Sequence, residues 1–224
     1  EDWNSVMTVQ EHADAPEEVV PRRQWFFSRL EDGKRIPDAK HVYLPSGFQP
    51  GKIYQVLYST TGAPVVGLGL LATRDIASFL RYAGSQEGSP LDADVERVYA
   101  FGVSQSGRFL RQFLYQGLNL DEARRPAFDA LIPHVAGGKR GEFNQRFAQP
   151  SSQTNRSTNS LFPFSDLAQT DPETGNTDGL LSRLAGLGTI PKVIYTYTAS
   201  EYWASHGSLP HTAIDSSGDI QIPD

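Results

Sequence analysis

The sequence predicts an α/β protein, a mostly parallel sheet with helices on both faces, and three observations carry that prediction. Strand-like runs at 52–58, 95–101, 127–135 and 191–198 alternate with helical spacing at 68–84 and 105–117, the order that gives parallel strands. At 98–115 an apolar run passes through Gly102-Val103-Ser104-Gln105-Ser106 straight into amphipathic spacing. The 224 residues, 38% of them hydrophobic, suffice for one sizeable core, so a single domain over 1–224 is expected.

Residues 1–40 carry Trp3, Trp25, Phe26 and Phe27 among many charges, broken by Pro16 and Pro21, and predict irregular structure with one strand. The β-branched and aromatic content of 52–58 predicts a strand, followed by a loop over 59–64. From Leu68, the positions Ile76, Phe79, Leu80 and Ala83 fall on one helical face that is expected to pack on the sheet, with a stop near Gly84. A polar loop over 84–94 leads to the strand at 95–101. The next helix presents Phe109, Leu110, Phe113 and Leu114 inward, places Arg108, Arg111 and Gln112 elsewhere, and stops at Gly117.

Residues 127–135 read as a buried strand ending in Ala136-Gly137-Gly138. Between 139 and 187 the chain turns rich in Ser, Thr, Asn, Gln, Gly and Pro. This long excursion is expected to carry little regular structure and to form a pocket wall or lid. A last strand at 191–198 delivers Ser200-Glu201-Tyr202-Trp203 at its carboxyl end, where ligands bind in parallel sheets.

The net charge of −6 is spread without a block of one sign, which argues for a small or neutral ligand and against nucleic acid or an anionic membrane surface. No run reaches the roughly 20 apolar residues of a membrane helix, and Glu1-Asp2 opens no signal peptide, although a leader removed before Glu1 fits the sequence equally. With no cysteine, disulfides and thiolate chemistry are excluded, and the compartment is left open.

The turn at 102–106 carries the chemistry. In a nucleophile elbow a strand enters a strained turn at Gly-x-Ser-x-small and leaves as a helix, lifting the serine above the sheet. Ser104 is therefore the candidate acyl-transfer nucleophile, with the Gln105 N–H as one oxyanion donor. The competing reading is a serine that caps the helix, and Ser106 is a rival whose flanks fit less well. A carboxylate and then a histidine should follow in the chain. Glu201 has the position for the acid, its bland alternative being a surface glutamate; Glu142 and Asp166 are lesser candidates. For the base, His12 and His41 precede the elbow, His134 reads as a cleft-lining residue, and His206 and His211 serve only if their loop folds back toward Ser104. His211 and His134 are the base candidates within the chain.

Three further patterns point elsewhere. Gly67-Leu68-Gly69-Leu70-Leu71-Ala72 matches a dinucleotide fingerprint, but the acidic residue at the right distance, Glu87, lies in a loop rather than at a strand end. Asp171 to Gly179 resembles a calcium loop with Gly175 at a ligand position and no distal glutamate, so a solvated turn is expected. Asn155-Arg156-Ser157 is a glycosylation sequon. No metal or organic cofactor is expected.

Several motifs taken together resemble a family of α/β-hydrolase-domain proteins: Pro64-Val-Val-Gly-Leu-Gly69, Thr73-Arg-Asp75 with Ser78-Phe-Leu-Arg-Tyr82, Gly102-Val-Ser-Gln-Ser-Gly-Arg-Phe-Leu-Arg111, His134-Val-Ala-Gly137, Arg140-Gly-Glu-Phe-Asn144, Asp178-Gly-Leu-Leu181, Pro191-Lys192 and Ser200-Glu-Tyr-Trp203. The resemblance runs from about Trp25 to the C-terminus. It implies an α/β-hydrolase fold and a serine esterase, with Ser104 matching the nucleophile and Glu201 the acid. It further implies that this chain resembles a middle portion of such an enzyme, with the histidine-bearing segment expected after Asp224. That segment is then supplied by further sequence or a second polypeptide, or the product is inactive by itself.

Overall fold

The computed structural model describes residues 4–12, 14–62, 65, 67–141, 143, 161–171 and 174–212. They fall into two compact units, where the sequence predicts one domain; the boundary lies between Pro64 and Val65. Glu142, most of the 139–160 stretch and the sequon at Asn155 lie outside the described residues.

The first unit is antiparallel. Strands β1 (Val6–Gln10), β2 (Glu18–Val20) and β5 (Ile53–Leu57) form one sheet in the order β2-β1-β5, and β3 (Phe26–Glu31) pairs with β4 (Lys34–Tyr43). Residues 1–40 thus hold three whole strands and most of a fourth rather than one. Pro16 and Pro21 lie between strands rather than breaking them. The missed signal is Asp32-Gly33, whose φ values of 49° and 74° make the hairpin turn in which both central residues adopt positive φ. Met7, Trp25 and Leu44 are the buried core of this unit.

The second unit is α/β. Helix α1 (Leu68–Tyr82) precedes β6 (Tyr99–Val103), α2 (Gln105–Tyr115) follows it, and then come β7 (Ala130–His134), β8 (Gln169–Thr170), β9 (Thr177–Asp178), α3 (Ser182–Gly186), β10 (Lys192–Val193) and α4 (Ala199–Ala204). Strands β10, β7 and β6 lie side by side in that order, all parallel, as the alternating pattern predicts. Leu70, Ala77, Leu110, Phe113, Leu114, Ala127, Phe128, Leu131, Leu180 and Leu184 make the core. Gly117, at φ 72°, ends α2 as expected.

Three expectations need correcting. The face of α1 that is buried carries Leu70, Ala77 and Ser78, whereas Ile76 and Phe79 are exposed. Burial follows the helix row that joins the core with α2, and Arg81 on that row is drawn inward by Asp129: its Nη1 lies 3.0 Å from Asp129 Oδ2, and its Nη2 donates to Asp129 Oδ1 at 3.1 Å. On α2, Arg111 and Gln112 are buried rather than turned to solvent. The excursion contributes the β8–β9 hairpin, α3 and the core residues Leu180 and Leu184, so part of it is structural. It is fastened to α2 through Tyr115, whose ring lies between the Arg140 and Arg183 guanidiniums at 3.8 and 4.6 Å and whose hydroxyl donates to Asp178 at 3.0 Å.

Candidate active site

Strand β6 gives way to α2 through Ser104 alone, at φ 53° and ψ −114°. A residue with a Cβ adopts that conformation at a cost of about 1–3 kcal/mol, and only where its surroundings over-determine it. Here they do. The Ser104 N–H donates to the His134 carbonyl at 2.9 Å, extending the β6–β7 ladder by one residue, and the Ser104 carbonyl accepts from Arg108 N–H at 3.0 Å. The small neighbours are required by contact. A Cβ on Gly102 would collide with the Ser106 carbonyl, and one on Gly107 would stand 2.8 Å from Ala136 Cβ and 3.0 Å from the Gly102 carbonyl. Strand and helix therefore touch across the turn, and Ser104 is held up and exposed. Gln105 is the first helical residue, so its N–H has no acceptor within the helix and points out at the turn.

Glu201 is the third residue of α4, whose start is capped by Thr198 Oγ1 accepting from Glu201 N–H at 3.2 Å. The Thr198-x-x-Glu201 spacing is a helix-start signal that the sequence reading passes over. The Glu201 carboxylate lies beside Gly137, three residues past the end of β7, since a Cβ there would be 3.5 Å from its Oε1. Ser104 and Glu201 thus belong to the carboxyl edge of one parallel sheet.

The histidines divide. His134 ends β7 with its Nδ1 2.8 Å from Thr196 Oγ1 and its ring stacked on Phe101 at 5.8 Å. The segment 205–211 does fold back onto the strand end: Gly138 N–H donates to the Ser205 carbonyl at 3.3 Å, and a Cβ on Gly138 would run into the His206 carbonyl. The His211 ring, however, is surrounded by Tyr195, Tyr197 and Tyr202 at 6.4, 5.9 and 6.3 Å. Among the described residues the Ser104 hydroxyl has no hydrogen-bond partner. His12 and His41 belong to the first unit, where His41 pairs with Asp38 at 3.1 Å.

Beneath the edge lies a polar layer that sequence reading does not find. Tyr195 donates to Asp166 Oδ1 at 2.6 Å, which gives Asp166 a partner other than a histidine. Burial pushes the Tyr195 phenol well above its ordinary pKa and that of Tyr197 up to about 12, so both stay neutral. Arg111 is fully buried under them, with its guanidinium 5.2 Å from the Tyr195 ring.

The Gly67-x-Gly69 stretch is not a nucleotide cradle. Gly67, at φ 95°, starts α1 with no strand leading into it among the described residues, and Gly69 has open space where a fingerprint glycine needs close approach. Within the 171–179 stretch Thr177–Asp178 is β9, and Asp171 N–H donates to the Asn176 carbonyl at 2.8 Å where the β8–β9 hairpin turns. Among the described residues no cluster of three or more His, Asp or Glu could hold a metal ion, and no helix is long and apolar enough to cross a membrane.

A parallel sheet whose strand turns through a strained, exposed serine into a helix has the architecture of α/β proteins that bind ligands at the carboxyl ends of their strands. An alpha/beta hydrolase domain model matches residues 32–205, and the chain belongs to that family, within the hydrolase superfamily. No curated protein and no solved structure matches it.

Proposed function

We propose that the protein is a serine hydrolase that cleaves a carboxylic ester through an acyl-enzyme. The observation that carries this is the backbone of Ser104, strained at φ 53° and exposed between β6 and α2. Ser104 Oγ attacks the acyl carbon while its proton passes to an imidazole. The tetrahedral oxyanion is held by the Gln105 N–H, a contribution of about 3 kcal/mol for a preformed donor. The alcohol leaves with the imidazole's proton, and water, deprotonated by the same base, hydrolyses the acyl-serine. Glu201 orients that imidazole and stabilises its charge.

His211 and His134 are the base candidates among the described residues. His134 is committed to Thr196 and Phe101, and His211 to its tyrosines, so either must turn to reach Ser104. The substrate is a small-molecule ester, and the 139–187 excursion forms the pocket wall. The test is turnover of p-nitrophenyl acetate. Activity abolished by Ser104→Ala and reduced about 10⁴-fold by Glu201→Gln supports the reading; activity retained in Ser104→Ala removes it.

A second reading, a non-catalytic binding protein on a hydrolase scaffold, is favoured by one observation: the Ser104 hydroxyl meets no imidazole among the described residues. Absence of ester turnover in every preparation, with a ligand that raises the melting temperature, would establish it.

A further inference from the structure

We propose that Arg111 is a positioning residue that sets Glu201 relative to Ser104. This rests on the hydrolase reading above. Arg111 lies two turns along α2 from Ser104, on the same rigid helix. It is fully buried, and among the described residues no carboxylate forms an ion pair with it. Its Nη2 donates to the Gly138 carbonyl at 2.9 Å and to the Phe164 carbonyl, while Nε and Nη1 are buried with no hydrogen-bond partner among the described residues. A guanidinium in that setting is a poor choice for stability alone, because burial of an unpaired charge is costly and half its donors are unused.

Its contacts converge on the elements that carry the proposed site. Gly138 follows Gly137, beside which the Glu201 carboxylate sits, and Gly138 N–H holds the Ser205 carbonyl at the end of α4. Against the guanidinium lies Tyr195, whose ring stacks on Tyr197 at 6.4 Å; Tyr197 adjoins Thr198, the cap of α4. The Phe164 carbonyl and the Tyr195–Asp166 bond tie the excursion into the same layer. Arg111 therefore grips the strand end and the strand that together fix α4, from the helix whose start is the elbow. Removing it lets Glu201 drift against Ser104 with both residues intact.

The test measures p-nitrophenyl acetate kcat and KM from pH 5 to 9, fluorophosphonate labelling rate and melting temperature for the full chain and three variants. Arg111→Met is expected to lower kcat about 100-fold, the cost of a misplacement near 1 Å, with KM within about twofold. Its melting temperature should change modestly, because relief of a buried, unpaired charge offsets the loss of the two carbonyl hydrogen bonds. The acid limb of its kcat profile moves to lower pH, since an imidazole that loses its carboxylate holds its proton less tightly. Arg111→Lys recovers part of the rate through one bond to Gly138. Gly138→Ala, which displaces 205–209 from the same strand end, reproduces the loss of kcat and the shifted limb. Wild-type kcat and limb in folded Arg111→Met overturn the proposal, as does raised KM with kcat unchanged. If Arg111→Met does not fold, Gly138→Ala decides by the same criteria. A wild type that neither turns over ester nor takes label refutes the hydrolase reading, and this inference with it; an active wild type with unaffected variants refutes the inference alone.

Discussion

Ser104 shows how much a single residue's backbone can reveal. Its φ of 53° with ψ −114° lies where glycine is at ease and serine is strained. Ser104→Gly should therefore raise stability by about 1 kcal/mol, the relief of strain less the extra freedom glycine gives the unfolded chain. Ser104→Ala, which keeps the Cβ, should melt with the wild type; a Ser104→Gly variant less stable than Ser104→Ala would contradict the strain. Gly102→Ala meets backbone at the Ser106 carbonyl and is expected to cost about 3 kcal/mol, read as a lowered denaturation midpoint. The sequence makes Gly102, Ser104 and Gly107 legible because sterics at a tight turn leave few alternatives. It does not make Arg111 legible, because an arginine on an amphipathic helix reads as solvent-facing until Gly138 and Phe164, distant in sequence, arrive to accept from it.

Elements with local signals were readable and elements held by distant partners were not. Helices α1 and α2 and strands β5, β6 and β7 follow from periodicity and composition. The buried face of α1 does not, since Asp129 selects it. Burial pushes the Asp129 carboxyl up, but Val98 N–H and Arg81 outweigh that and hold it below the usual carboxylate range. With the folded-state pKa below the unfolded value near 3.8, the contribution is complete above that value and lost as pH falls through the folded one. Asp129→Asn should thus cost about 2 kcal/mol at pH 7, with its gap to the wild type narrowing below pH 4. A gap constant down to pH 2 would refute the linkage. The excursion offers a second test, since Tyr115→Ala removes the ring between Arg140 and Arg183, two contacts of about 1 kcal/mol each. Proteolysis within 139–187 should quicken about tenfold in Tyr115→Ala and stay near wild type in Tyr115→Phe.

Across the whole molecule, α/β class and family were legible, since ordered motifs survive in the sequence whatever their spacing in three dimensions. The division near Pro64 was not, because composition does not change sharply there. On the three-stranded sheet, Tyr99, Phe101, Val103 and Ile194 stay largely exposed, while Leu131 and Pro133 turn to the α2 side. The carboxyl edge of this sheet brings Ser104 to the surface and sets Glu201 beside Gly137, past the end of β7, which makes nucleophilic catalysis the reading that uses both. The most direct measurement is treatment of the full chain with a fluorophosphonate, followed by peptide mass mapping. The account predicts one adduct, on Ser104, lost in Ser104→Ala. An adduct on Ser106 or any other residue, or label surviving in Ser104→Ala, would contradict it.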